Sequence, residues 1–158
     1  MGTGRNRGWL RRLFGGGRQF PLDPDRHDLV VVASCFDDVE ACSTTLGRAA
    51  AEHPRWTADA EAVLRHHLTL PASAVAEAVS IAAQDGYRPQ GSGEEPSDSG
   101  PADATAPVQL VLQRTQILDA LHCSQERSRM VGLAQRLGGS AVGWDAMQPA
   151  REPDLPDS

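Results

Sequence analysis

Lysine is absent from this sequence of 158 residues, so all 15 of its basic side chains are arginines. Against 21 aspartates and glutamates they leave a formal net charge of −6. A dedicated binder of double-stranded nucleic acid normally carries an excess of basic charge, so this balance argues against that class of protein. Aromatic residues are also scarce, at three Trp, three Phe and one Tyr, so a modest aliphatic core is expected.

Cysteines are also scarce, and long apolar runs are absent. The three cysteines, Cys35, Cys42 and Cys123, are odd in number and show no C-x-x-C spacing. They therefore indicate neither a disulfide framework nor a zinc knuckle. No apolar run approaches the roughly 20 residues of a membrane span, and the amino-terminal region lacks the apolar core of a signal peptide. We expect a cytoplasmic protein without a transmembrane segment.

Charge and composition divide the chain into segments. Residues 1–27 hold six arginines and two aspartates, whereas residues 89–106 are acidic and rich in Gly, Ser and Pro. Such acidic, apolar-poor composition is typical of disorder. We predict a basic, flexible arm over 1–27, a single domain over 28–148 interrupted by a disordered acidic insertion at about 89–106, and a disordered tail over 149–158.

Hydrophobic periodicity predicts alternating strands and helices within the domain. A β-branched run at Leu29–Ala33 indicates a strand. Asp37 and Glu40 have capping-box spacing and predict the start of a helix that buries Val39 and ends near His53-Pro54. The further strands and helices are predicted at Ala62–Leu70 (strand), Pro71 or Ser73 to Gly86 (helix), Tyr87 (short strand), Val108–Leu112 (strand), Ile117–Gly138 (helix) and Ala141–Trp144 (strand).

The order of these elements predicts the fold class. From residue 62 it is β-α-β, then the insertion, then β-α-β again. Right-handed crossovers and short connections favour one sheet with two helices packed on the same face. We predict an α+β fold, a ferredoxin-like α/β sandwich preceded by an extra strand and helix at 28–53.

No group of residues commits the sequence to catalysis. His66 and His67 are neighbours on a strand and point to opposite faces, so both cannot ligate one metal, and His66 is expected to be buried and hydrogen-bonded. His122 and Cys123 diverge by about 100° on a helix, with Ser124 as the expected helix cap. We predict no catalytic, metal-ligating or cofactor-binding residue and no enzyme activity.

Two regions are candidates for contact with a partner. In the arm, arginines alternate with Trp9, Leu10, Leu13 and Phe14, a pattern suited to a short amphipathic helix or to a solvated basic segment. The candidate arginines there are Arg5, Arg7, Arg11 and Arg12. The second region is the helix surface around Glu126, Arg127 and Arg129, together with the sheet edge near Tyr87.

The order of several short motifs resembles a known family. Arg65-His66-His67-Leu68-Thr69-Leu70, then Asp85-Gly86-Tyr87 at a helix end and a closing Gly143-Trp144, is similar to the ribonuclease E inhibitor family called regulator of ribonuclease E activity B. The resemblance covers residues 62–146. It implies a ferredoxin-like sandwich that is not an enzyme and that binds an endoribonuclease of the ribonuclease E/G type, changing its activity.

We therefore expect a non-catalytic regulator of RNA decay that acts by protein–protein contact. The alternative is a generic cytoplasmic interaction module whose basic arm contacts RNA or an anionic membrane surface. Direct specific binding of nucleic acid is not expected of the whole protein. The sequence leaves the oligomeric state open, a homo-oligomer included.

Overall fold

One antiparallel sheet of five strands organises the computed structural model, which describes residues 22–91 and 103–151. The strands are β1 (Leu29–Cys35), β2 (Glu61–Pro71), β3 (Arg88–Pro89), β4 (Pro107–Ile117) and β5 (Ser140–Pro149). Their order across the sheet is β1-β5-β2-β4-β3, and every neighbouring pair is antiparallel. The helices are α1 (Cys42–Ala51), α2 (Val75–Ala83) and α3 (Ala120–Arg136). The predicted mixture of helices with one sheet is confirmed.

The central strand β2 divides its side chains between the two faces of the sheet. Leu64, Leu68 and Leu70 pack in hydrophobic clusters with residues of the helices, so the even-numbered residues of β2 face the helices. The odd-numbered residues, such as Arg65 and His67, lie on the opposite face because strand side chains alternate. We call this opposite side, which the three helices leave uncovered, the open face.

Two hydrophobic clusters fill the space between the sheet and the helices. The first joins α1 and the start of α3 to the sheet through Leu46, Cys123, Leu64 and Trp144. The second packs α2 and the rest of α3 on the other half of the sheet; its larger members include Leu68, Leu70, Leu112, Met130 and Leu133. Trp144, Tyr87 and Met130 are among the buried residues of these clusters.

All the strands that the sequence predicts are present, and several are longer than the pattern indicates. The pattern places the last strand at Ala141–Trp144, but β5 continues to Pro149 because it pairs with β1 on one side and β2 on the other. Most of the predicted arm (residues 1–21), the middle of the acidic insertion (92–102) and the end of the tail (152–158) lie outside the described residues. The disorder predicted for those segments therefore stays a prediction.

The predicted start of α1 is wrong. The helix begins at Cys42 after Ala41, and no side chain caps it. The carboxylate of Asp37 accepts a hydrogen bond from the backbone N–H of Val39 instead, in the turn before the helix. As a result Val39 is 85% exposed rather than buried on a helical face.

The capping residue of α3 also differs from the sequence expectation. Asp119, not Ser124, is the cap, and its carboxylate accepts the backbone N–H of His122 at 2.8 Å. An aspartate at this position satisfies a free backbone donor of the first turn. The hydrogen bond lowers the pKa of Asp119. The other end matches the prediction: Gly138 has φ +85°, the left-handed conformation that commonly ends a helix.

Gly139→Ala is expected to destabilise the fold by about 2 kcal/mol, as overpacking of a tight contact does. A Cβ atom at this position would overlap the carbonyl oxygen of Thr69, a backbone atom of the paired strand β2 that cannot move aside cheaply. Urea denaturation of the variant measures the loss. Gly132→Ala is the matched control: nothing lies within 4 Å of its added Cβ, so within α3 it should stabilise by about 0.5–1 kcal/mol. Equal stability of the two variants would contradict the expectation.

Candidate functional site

Three ionisable side chains meet on the open face. Arg65 and His67 lie two residues apart on β2, and Asp145 lies opposite Arg65 on β5. Nε and Nη2 of Arg65 donate to the two carboxylate oxygens of Asp145 at 2.6 and 2.7 Å. Nε2 of His67 lies 3.0 Å from Oδ2 of the same carboxylate. We call Arg65, His67 and Asp145 the open-face cluster.

The carboxylate of Asp145 stays ionised within this cluster. The residue is buried, and burial alone raises the pKa of a carboxyl group. The hydrogen bonds from His67 and Arg65 and the positive charge of Arg65 outweigh burial, so the pKa of Asp145 is lowered overall. Both oxygens are engaged by strong donors. The arrangement therefore suits an ion cluster that fixes β2 to β5 rather than a proton acceptor in catalysis.

A second group of polar side chains lies between the two hydrophobic clusters. The hydroxyl group of Tyr87 donates to Oε2 of Glu126 at 2.9 Å, and Nη2 of Arg114 lies 3.3 Å from Oε1. The guanidinium of Arg114 also covers the ring of Tyr87, 4.6 Å from its centroid. The ring of His66 meets Tyr87 edge to face at 5.7 Å. We call His66, Tyr87, Arg114 and Glu126 the polar layer.

Positions along β2 and α3 explain where the polar layer sits. His66 falls between Leu64 of the first cluster and Leu68 of the second, and Glu126 falls between Cys123 and Met130. Burial and the neighbouring charge of Arg114 lower the pKa of His66 to about 3. Its Nε2 atom has no hydrogen-bond partner, so the expectation that His66 is buried is confirmed and the expected hydrogen bond at that atom is not found.

The predicted contact surface on α3 is only partly exposed. Glu126 is buried, so the prediction that it lies on an exposed helix surface is wrong. Tyr87, near the predicted sheet edge, is buried as well and offers no exposed ring to a partner. The hydroxyl group of Tyr87 and the carboxylate of Glu126 form a hydrogen bond with each other inside the fold. Burial raises the pKa of Tyr87. Arg129 remains half-exposed and pairs with Asp85 at 2.7 Å.

Arg127 fixes the loop before α1 to α3. Its Nη1 donates to the carbonyl oxygen of Glu40 at 2.6 Å, and its Nη2 donates to that of Asp37 at 2.7 Å. A groove lies between this loop and the outer side of α3. Its lining includes Asp38, Ser124, Arg127, Ser128, Val131 and Gln135. Two exposed apolar residues are close in sequence to this lining: Val39 follows Asp38 in the loop, and Leu121 lies one turn of α3 before Ser124. We call this surface the α3 groove.

The pair His122 and Cys123 diverges as the sequence predicts. His122 is exposed and its ring contacts Asp119, whereas Cys123 is fully buried in the first hydrophobic cluster. Burial raises the pKa of the Cys123 thiol, which lowers its nucleophilicity. Among the described residues no group of three His, Cys, Asp or Glu side chains is arranged to hold a metal ion.

Sequence reasoning missed three residues that organise these sites: Arg65, Asp145 and Arg114. Each is a charged residue within a strand, which is an available signal, since strands that pack on a core rarely carry buried charges without a partner. The partners could not be identified, because Arg65 and Asp145 are 80 positions apart. The candidates Arg5, Arg7, Arg11 and Arg12 lie outside the described residues, so their roles stay predictions.

Comparisons with protein-family models, with curated proteins and with solved structures find no match to this chain. Within residues 22–91 and 103–151, no helix has both the length and the apolar character needed to cross a bilayer.

Proposed function

We propose that this chain is a non-catalytic regulator that binds an endoribonuclease of the ribonuclease E type in the cytoplasm and restrains RNA decay. The proposal follows the resemblance to the regulator of ribonuclease E activity B family. We further propose that the fold of the chain is a ferredoxin-like sandwich. Support for that comes from the order β-α-β-β-α-β that begins at β2 and from the strand order β5-β2-β4-β3.

The α3 groove carries the proposal that the contact is with a protein. Val39 and Leu121 are two of the most exposed large apolar side chains of the described residues. Val39 follows the groove residue Asp38, and Leu121 lies one helical turn before the groove residue Ser124, in a surface that also carries Gln and Arg. Apolar side chains with a polar rim are typical of protein interaction sites. Arg127, one of the three α3 residues that the sequence predicts to contact a partner, lines the groove.

The internal pairing of ionisable groups favours binding over catalysis. Asp145 is held by Arg65 and His67, Glu126 is held by Tyr87 and Arg114, and Cys123 is buried with a raised thiol pKa. A nucleophile and a base in catalysis need converging, accessible side chains. These groups instead stabilise the fold, so the proposed activity depends on the shape and chemistry of a surface.

Purified chain is expected to bind the ribonuclease E-type enzyme of its own host and to slow its cleavage of a fluorescent single-stranded RNA. Leu121→Asp should weaken that binding about tenfold, or about 1.4 kcal/mol, because it replaces an exposed apolar side chain of the proposed contact by a charge that the contact would have to desolvate. Ile117→Asp is the matched control, since Ile117 is 53% exposed at the end of β4 and, unlike Leu121, does not belong to the helix that forms the groove. Titration calorimetry and the cleavage rate measure both effects.

The two parts of the proposal fail separately. No binding, together with unchanged cleavage at excess protein, would remove the ribonuclease as partner. Binding that Leu121→Asp and Ile117→Asp weaken equally would instead place the contact away from the α3 groove.

A further inference from the structure

The open face carries an apolar pocket that the proposed contact on α3 does not use. Its lining includes Phe36, His67, Gln109, Val111 and Val142, and its volume is about 140 Å³. The ring of Phe36 lies over Gly143 and 5.2 Å from the ring of His67. Phe36 and Val142 are 54% and 49% exposed. A cavity of about 150 Å³ accommodates a benzene ring, so the pocket fits one aromatic or leucine side chain.

The described chain starts on this same face. The backbone N–H of Leu22 donates to Glu61 Oε1 at 3.3 Å, and Thr115 Oγ1 donates to the carbonyl oxygen of Leu22 at 3.2 Å. Glu61 and Thr115 both belong to the open face, because each shares a side of the sheet with Val63. Val63 itself is fully buried although it faces away from the helices. Residues 1–21 therefore continue from an anchor at one end of the open face.

The pocket is within reach of the apolar residues in that segment. Val111, which lines the pocket, is four residues along β4 from Thr115, a distance of about 14 Å. Phe14 precedes Leu22 by eight residues, which span about 12 Å as a helix and at most about 28 Å when extended. An extended connection is therefore long enough to bring Phe14 to the pocket, whereas a fully helical connection falls about 2 Å short.

Charge favours the same contact. Residues 1–21 contain five arginines and no acidic residue. Residues 22–91 and 103–151 contain fifteen acidic residues and ten arginines, so they carry the opposite net charge, −5. Trp9, Leu10, Leu13 and Phe14 recur at helical spacing among the arginines, which gives the segment an apolar side to cover the pocket.

We infer that residues 1–21 pack across the open face of their own chain, with the side chain of Phe14 seated in the pocket between Phe36 and Val142. The arm then covers a sheet face, and its arginines face an acidic body in place of RNA or a membrane. This contact is independent of the ribonuclease proposal, and its test contains no ribonuclease.

The test is paramagnetic broadening of amide signals in the ¹⁵N-labelled full chain carrying Gly16→Cys with a nitroxide label. Cys35, Cys42 and Cys123 are at most 4% exposed, so the reagent should modify the introduced cysteine selectively. The amide signals of Val111 and Val142 are expected to broaden strongly, and that of Ser128 on the outer side of α3 to stay sharp. Phe14→Asp in the labelled chain should reduce the broadening at Val142 severalfold.

Two controls establish that the broadening comes from Phe14 in the pocket of the same chain. Val39→Asp, which changes an exposed valine beside α3, should leave the broadening at Val142 unchanged. A mixture of nitroxide-labelled ¹⁴N chain with unmodified ¹⁵N chain should show none. Broadening that appears in the mixture would indicate contact between two copies and overturn the inference. The inference also fails if Val142 is never broadened, or if Phe14→Asp leaves its broadening as it was.

Discussion

Asp145→Ala is expected to lower the free energy of unfolding by about 3 kcal/mol, the range found when one partner of a buried ion pair is removed. The substitution leaves Arg65, whose side chain is 15% exposed, without the two hydrogen bonds that it makes to the carboxylate. It also removes the partner of His67 Nε2. Urea denaturation at pH 7, with the midpoint and slope fitted together, measures the loss.

Two variants test whether the loss comes from the buried ion cluster. Asp145→Asn keeps the shape of the side chain and removes its charge, so its effect should be smaller than that of Asp145→Ala. Asp28→Ala breaks the exposed pair with Arg26 and should change stability far less, because exposed pairs are screened by solvent. A midpoint for Asp145→Ala equal to that of the unmodified protein would show that the cluster contributes nothing.

Acidification from pH 7 to pH 4.5 is expected to lower the free energy of unfolding by about 3 kcal/mol through His66 alone. The loss amounts to about 1.4 kcal/mol for each pH unit below the ordinary histidine pKa of about 6.5. Burial, with Arg114 nearby, lowers the pKa of His66 in the folded state to about 3 from the ordinary 6.5. Between these values the unfolded chain binds a proton that the folded protein does not. Stability therefore falls as the pH drops through this window.

His66→Leu isolates that contribution. The variant should lose less stability between pH 7 and pH 4.5 than the unmodified protein, by the same amount of about 3 kcal/mol. The matched control is His27→Leu, which removes an exposed imidazole and leaves His66 in place, so the contribution of His66 should remain in full. Asp145 does not interfere, since its pKa is lowered and its contribution is lost only below the ordinary range for a carboxyl group. Identical pH profiles for His66→Leu and the unmodified protein would contradict the assignment.

Local periodicity predicted the elements of the fold because it depends only on neighbouring residues. Alternation along β2 assigned His66 to the helix side and His67 to the other side, and both assignments are confirmed. The same reasoning failed at the start of α1. Asp37 and Glu40 match the pattern of a capping box, but Arg127, 87 positions from Glu40, holds both of their carbonyl oxygens in the preceding loop.

The sites depended on contacts that no local pattern encodes. Glu126 was expected to be exposed, as charged helix residues usually are. It is buried because its turn of α3 lies where the two hydrophobic clusters meet, and Tyr87 and Arg114 are there to bind it.

Charge balance and the periods of strands and helices are local properties of a chain. They were therefore sufficient to divide the chain into segments, to predict the type and order of the main elements, and to assign each side chain of β2 to one face of the sheet. The meeting of Asp145 with Arg65 and the anchoring of Leu22 on the open face are visible only in the assembled fold. Such pairs form when strands distant in sequence become neighbours, and the free energy that selects them comes from packing the whole sheet against its helices.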